Sequence, residues 1–180
     1  MRAWTSPNFL RRDNLNSNDL ITIQGHWNFN YTYFAGEVAT RFFNELKDNR
    51  RIMGSLCPSC NRLLVPARAF CDACMERTTD WRSVGPQGTL ETFTIITTAF
   101  PGLPEPPIVI AYVTLDGADT ALINVVRGED LRDIQAAAKR LNSLPRVTVR
   151  FVEDPKGRIT DFWFELLPTS VTSSIEGTAQ

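Results

Sequence analysis

The sequence contains a single histidine, His26, and no run of about 18 apolar residues that would cross a bilayer as a helix. It also lacks a GxSxG elbow, a glycine-rich P-loop and a GxGxxG fingerprint. Its carboxylates are scattered and form no evident acid–base pair. Charge of neither sign dominates. Lys and Arg number 19, Asp and Glu number 20, and the net charge of −1 suits a phosphate-gripping protein poorly. The N-terminus, Met1-Arg2-Ala3-Trp4-Thr5-Ser6-Pro7, shows no apolar stretch followed by small residues, so no signal peptide is expected. The expected location is cytoplasmic, a reducing compartment in which disulfides rarely persist. This inventory argues against an enzyme that works on its own, and no catalytic residue is assigned.

Against these absences stand four cysteines, placed as Cys57-x2-Cys60, ten intervening residues, and Cys71-x2-Cys74. Each CxxC pair forms a knuckle that aims two thiolates at one point, and two knuckles supply the tetrahedral sulfur set that Zn²⁺ accepts. Two disulfides are disfavoured by compartment, and four unrelated buried thiols by spacing. Iron in a rubredoxin-like site remains a rival, since the same knuckles hold it. With all four positions taken by protein sulfur, the metal is structural, one ion per chain. The residue after each second cysteine meets a tight, left-handed backbone. Asn61 suits that position and Met75 does not, so a less regular second knuckle is expected.

The rest of the chain reads as mainly β with some α. Residues 1–30 carry six asparagines and no periodicity, yet include Trp4, Phe9, Trp27 and Phe29. Disordered tails usually lack aromatics, so an arm over residues 1–34 that docks on another protein is expected; folding back over its own chain is the alternative. Residues 31–48 read as a helix with Phe34, Val38, Phe42 and Leu46 on one stripe, Phe43 widening it and Thr32 as cap. Leu63-Leu64-Val65-Pro66 makes a short strand between the knuckles. From Thr89 onward strands alternate: 89–98, 108–116, 120–126, then a helix over 130–141, and strands over 147–151 and 159–166. Five strands with one helix between the third and fourth is the order of an OB-fold barrel. The boundaries expected are 1–48 for arm and helix, 49–84 for the zinc ribbon, 85–167 for the barrel and 168–180 for a mobile tail.

Several short segments carry a family resemblance in this order. They are Arg41-Phe42-Phe43-Asn44-Glu45-Leu46-Lys47, the Cys57-Pro58-Ser59-Cys60 knuckle, Val65-Pro66-Ala67-Arg68-Ala69-Phe70-Cys71, and Gly85-Pro86-Gln87-Gly88-Thr89-Leu90. Over residues 34–166 the chain resembles the zinc-ribbon/OB-fold proteins of the DUF35 family. The resemblance implies an N-terminal helical arm, a rubredoxin-like zinc ribbon and a C-terminal OB-fold. It also implies a small subunit that accompanies a thiolase-like or related acyl-CoA enzyme, whose partner supplies the catalytic residues. The long arm is similar to that of partners of thiolases such as benzoylsuccinyl-CoA thiolase. In that setting Arg62, Arg68 and Arg77 are candidates for contacts to CoA phosphates or to an acidic patch on the partner. The alternative, a nucleic-acid-binding OB/zinc-ribbon module, is weakened because strand 108–116 offers Tyr112 but no Lys or Arg.

Overall fold

A computed structural model describes residues 32–101 and 103–168 of the chain. The aromatic arm up to residue 31 and the tail beyond residue 168 lie outside the described residues, and so do the expectations placed on them. Contacts divide the chain after Phe34, and every element named here belongs to the Ala35–Gln180 unit.

Helix α1 spans Glu37–Asn49 and buries Phe42 and Leu46, the last two members of the expected stripe. The helix starts later than the periodicity suggested. Gly36, not Thr32, is the N-cap, and Phe34 lies ahead of the helix and is exposed. Gly36 has φ +87°, which breaks the helical backbone before the stripe reaches Phe34. At the other end Arg50 turns left-handed and its N–H bonds back to the Glu45 carbonyl, closing the helix.

Three short strands follow in the order β2–β1–β3: β1 Met53–Leu56, β2 Leu63–Leu64 and β3 Asp80–Ser83. Five more close a barrel: β4 Gln87–Ile96, β5 Ile108–Leu115, β6 Leu122–Arg127, β7 Arg146–Phe151 and β8 Phe162–Leu166, in the order β4–β5–β6–β8–β7. Helix α2, Ile134–Leu141, lies between β6 and β7. This is the expected OB arrangement, with trimmed ends. The helix begins at Ile134 because Asp133 caps it, its carboxylate accepting from the Ala136 N–H at 3.0 Å. The last strand begins at Phe162 because Ile159–Asp161 form a 3₁₀ turn. There the buried Asp161 carboxylate accepts from the backbone N–H groups of Lys156 and Arg158.

One apolar core runs through most of this unit. Barrel residues Leu90, Val109, Val113, Val147, Phe162 and Phe164 share it with Phe42 and Leu46 of α1 and with Ile52 and Val65 beside the three-stranded sheet. The helix therefore buries its stripe against the barrel. The three-stranded sheet is tied to the barrel by polar bonds as well. Leu63 N–H donates to the Asp119 carboxylate at 2.7 Å, and Asp119 N–H donates to the Leu63 carbonyl at 2.9 Å. Val65 N–H donates to Thr120 Oγ1 at 2.7 Å, and that hydroxyl donates to the Val65 carbonyl at 2.8 Å. The β5–β6 turn thus supplies the hydrogen-bonding edge that β2 would otherwise lack.

Barrel closure brings β4 close to its neighbours at Gly88. A methyl group there would lie 2.6 Å from the Thr114 carbonyl oxygen and 3.0 Å from the Leu115 Cα, both backbone atoms with little room to yield. Gly88→Ala is expected to destabilise the chain by about 2 kcal/mol or more. Its denaturant midpoint, measured beside wild type, checks this; an unchanged midpoint refutes the close-contact reading.

Candidate metal centre

The four sulfurs sit at the ends of two backbone loops with the same hydrogen-bond pattern. In the first, Asn61 N–H donates to the Cys57 carbonyl and Cys57 N–H donates to the Arg62 carbonyl, each at 3.0 Å. In the second, Met75 N–H donates to the Cys71 carbonyl at 3.0 Å and Cys71 N–H to the Glu76 carbonyl at 2.9 Å. Asn61 has φ +57° and Met75 has φ +56°. The second knuckle is therefore as regular as the first, against the sequence expectation. Met75 takes the left-handed backbone that its side chain disfavours, because the loop must fold to bring Cys71 and Cys74 to one point. The 76 % exposure of Met75 leaves its side chain free of packing that would oppose this.

The Sγ atoms of Cys57, Cys60, Cys71 and Cys74 all lie within 4.8 Å of one another, and the Cys60–Cys71 pair is 3.8 Å apart. A tetrahedron with Zn–S bonds of about 2.3 Å has its sulfurs about 3.8 Å apart, so the donor set fits one zinc ion. Cys57 and Cys71 are buried, and with Leu64 and Cys74 they make a separate small cluster. That cluster is too small to hold the loops by apolar burial. A zinc ion would supply the missing cohesion as charge neutralisation and ligand bonds.

The sulfurs differ electrostatically. Backbone N–H groups of Cys74 and Ala73 aimed at the Cys71 sulfur hold its thiol down at about 7. The neighbouring Cys60 sulfur, with burial adding to it, pushes the Cys74 thiol up to about 12. Four thiols this close cannot all ionise without a cation among them. A dication at the centre removes that penalty and takes all four as thiolates.

The three arginines proposed from the sequence do not converge. Arg62 and Arg68 both reach Asp72, at 3.1 Å and 3.8 Å, beside the second knuckle. Arg77 instead lines a groove of about 400 Å³ between the start of α1 and the ribbon. That groove also holds two residues the sequence did not single out, Arg41 of α1 and Trp81 of β3. The Arg41 guanidinium stacks over the Trp81 ring, 4.4 Å from its centroid. Forty residues separate the two in the chain, and no local pattern links them. Nor did any spacing mark Asp119 and Thr120 as the ribbon's anchor.

Two family models match the chain in tandem. The rubredoxin-like zinc ribbon domain of ChsH2 matches residues 45–80, and the C-terminal OB-fold domain of ChsH2 matches residues 81–136. Among solved structures, a DUF35-family protein of unknown function from Sulfolobus solfataricus is similar at 21 % identity. That match has a TM-score of 0.53 and covers 73 % of this chain and 86 % of that one. A structure described as the Ltp2-ChsH2(DUF35) aldolase is similar at 18 % identity. Its TM-score is also 0.53, with 74 % of this chain and 98 % of that chain covered. At these identities the structural likeness speaks to fold. No curated protein sequence matches the chain.

Two measurements check the centre. Purified chain is expected to carry one zinc and to show no visible absorption, since ferric tetrathiolate is red and zinc is colourless. Cys71→Ser is expected to lose the metal and to melt at lower temperature; one zinc and wild-type melting in that variant would sink the assignment. Second, Met75→Asn relieves a left-handed strain of roughly 1 kcal/mol. It is expected to raise the melting temperature by a few degrees, and a fall would show that the Met75 side chain holds the knuckle in some other way.

Proposed function

Because the chain is a zinc-ribbon/OB-fold protein of the DUF35 family, we propose that it is the non-catalytic accessory subunit of a thiolase-like acyl-CoA enzyme. In this role it supports assembly of the complex and binding of the acyl-CoA. The observation that carries this reading is the tandem match to both ChsH2 domains in chain order. A structural relative is described as a ChsH2(DUF35) aldolase together with Ltp2. The residue inventory agrees. A metal at the centre would take up all four thiols, and the buried Asp161 carboxylate is taken up by backbone N–H groups. Neither is left to act as nucleophile or base.

Arg62 and Arg68 are the residues assigned to partner contact. Their shared anchor, Asp72, holds two guanidiniums beside the metal, and each keeps donors to spare for a carboxylate on an apposed surface. The nucleic-acid reading gains nothing from the barrel. Of the outward positions of β5 and β6, Ile110, Tyr112, Ile123 and Val125 carry no charge, and the one basic residue, Arg127 at the end of β6, lies over the Trp163 ring, whereas single-strand grooves need several basic side chains.

The test is to look for a thiolase-like or aldolase-like chain in the neighbouring reading frames and to co-express it with this one. A stable complex is expected, with thioester cleavage or formation seen for the complex and none for this chain alone. Turnover by the isolated chain, or failure to associate with any such neighbour, overturns the proposal.

A further inference from the structure

Strand β4 is covered along its length on one side only. On that side β5 runs beside it from Gly88 to Ile96. On the other, β7 reaches only Gln87–Thr89, and the Leu90 N–H is spent on the Pro145 carbonyl. Beyond that point, from Glu91 to Ile96, no strand lies on the open side of β4 among the described residues. Alternate residues of an antiparallel strand turn their N–H and C=O away from the partner strand, so this stretch presents a free hydrogen-bonding edge. Helix α2 packs near β4 but makes no backbone hydrogen bond to it, and Thr92 and Thr94 are exposed.

Open edges are normally blunted by lysine, by proline or by a bulge. The bulge in β4 falls between Leu90 and Thr92, where the strand leaves β7, and not along the stretch that follows. From Thr92 to Thr98 the chain reads Thr-Phe-Thr-Ile-Ile-Thr-Thr, with no charge and no proline. We propose that this edge pairs antiparallel with the same edge of a second copy of the chain, about a two-fold axis at Thr94. In that register the sequence complements itself. Thr94 stands opposite the partner's Thr94, and Phe93 opposite the partner's Ile95. Thr92 meets the partner's Ile96, and Glu91, the one charge of the stretch, meets the partner's Thr97. Thr–Thr and aromatic–β-branched pairs are kinds that stabilise a ladder, and no like charges face each other. The Leu90–Pro145 bond sets the limit of pairing, at Glu91 against Thr97. A two-fold axis uses the same patch on both copies, so the contact closes as a dimer and does not propagate. It goes beyond the accessory role, because it needs no catalytic chain.

Sedimentation analysis of the full zinc-loaded chain tests the contact. A monomer–dimer equilibrium is expected with a dissociation constant of roughly 10–100 μM, since a single strand pair is a small interface. Thr94→Lys sets like charges across the axis and is expected to weaken dimerisation by roughly fivefold or more, with zinc content and secondary structure unchanged. Thr94→Glu is expected to do the same by itself, and an equimolar mixture of the two variants to dimerise again. Tyr112→Lys, on the outward face of β5 away from the open edge, is expected to leave dimerisation as it was. The amides of residues 91–97 are expected to gain hydrogen-exchange protection as the wild-type concentration rises. A chain that stays monomeric at about 1 mM overturns the proposal. So does a dimer that Thr94→Lys leaves intact, that Tyr112→Lys dissociates, or whose added protection lies outside residues 91–97. Failure to associate with a catalytic chain, by contrast, bears only on the accessory-subunit role.

Discussion

The mutual repulsion of four thiolates within 4.8 Å of one another is the constraint on which the first half of the structure rests. A cation relieves it with all four sulfurs ionised, and such an ion would hold two knuckles whose private apolar cluster amounts to Leu64 and the cysteines themselves. The knuckle loops accept a left-handed Met75 for the same reason. In a protein core a β-strand of two residues would be marginal; here β2 is bonded to Asp119 and Thr120 on one side, and a metal in the knuckles would fix the loop on the other.

Order then passes from metal to barrel through β2. Its backbone bonds to Asp119 and Thr120 join the ribbon to the β5–β6 turn, and Val65 extends the apolar core across the junction. Helix α1 packs Phe42 and Leu46 into that same core. The ribbon is therefore positioned relative to the barrel by buried contacts and side-chain hydrogen bonds. Surfaces presented by the ribbon, including the Arg62–Asp72–Arg68 cluster and the groove over Trp81, are held in fixed relation to the barrel. The accessory role proposed above would draw on this rigidity, because a contact that must first be ordered loses affinity to the ordering entropy.

The electrostatics of the ribbon sort its arginines into distinct roles. Arg62 and Arg68 gather on Asp72, so their charge is partly spent locally. Arg41 spends its face on an aromatic ring and keeps its hydrogen-bonding edge. Arg77 has neither kind of partner among the described residues. A net charge near zero for the whole chain hides these local differences, and local fields, not net charge, decide what a groove accepts.

The sequence alone determined the metal ligands, the barrel's strand order and the face of α1 that is buried. Each of these is written in short-range spacing: a CxxC pair, a period of two, a period near four. It placed element ends poorly, at Gly36, Asp133 and Ile159–Asp161, because a single cap or a 3₁₀ turn outweighs periodicity there. It misjudged Met75, since residue preference is worth roughly 1 kcal/mol and metal ligation in a structural site is worth several times that. Tertiary structure alone decided that Arg41 meets Trp81, that Arg77 parts company with Arg62 and Arg68, and that Asp119 and Thr120 hold the ribbon. The Arg41–Trp81, Leu63–Asp119 and Val65–Thr120 contacts join residues 40 or more positions apart, and no local pattern encodes a contact that only the closing of the fold creates.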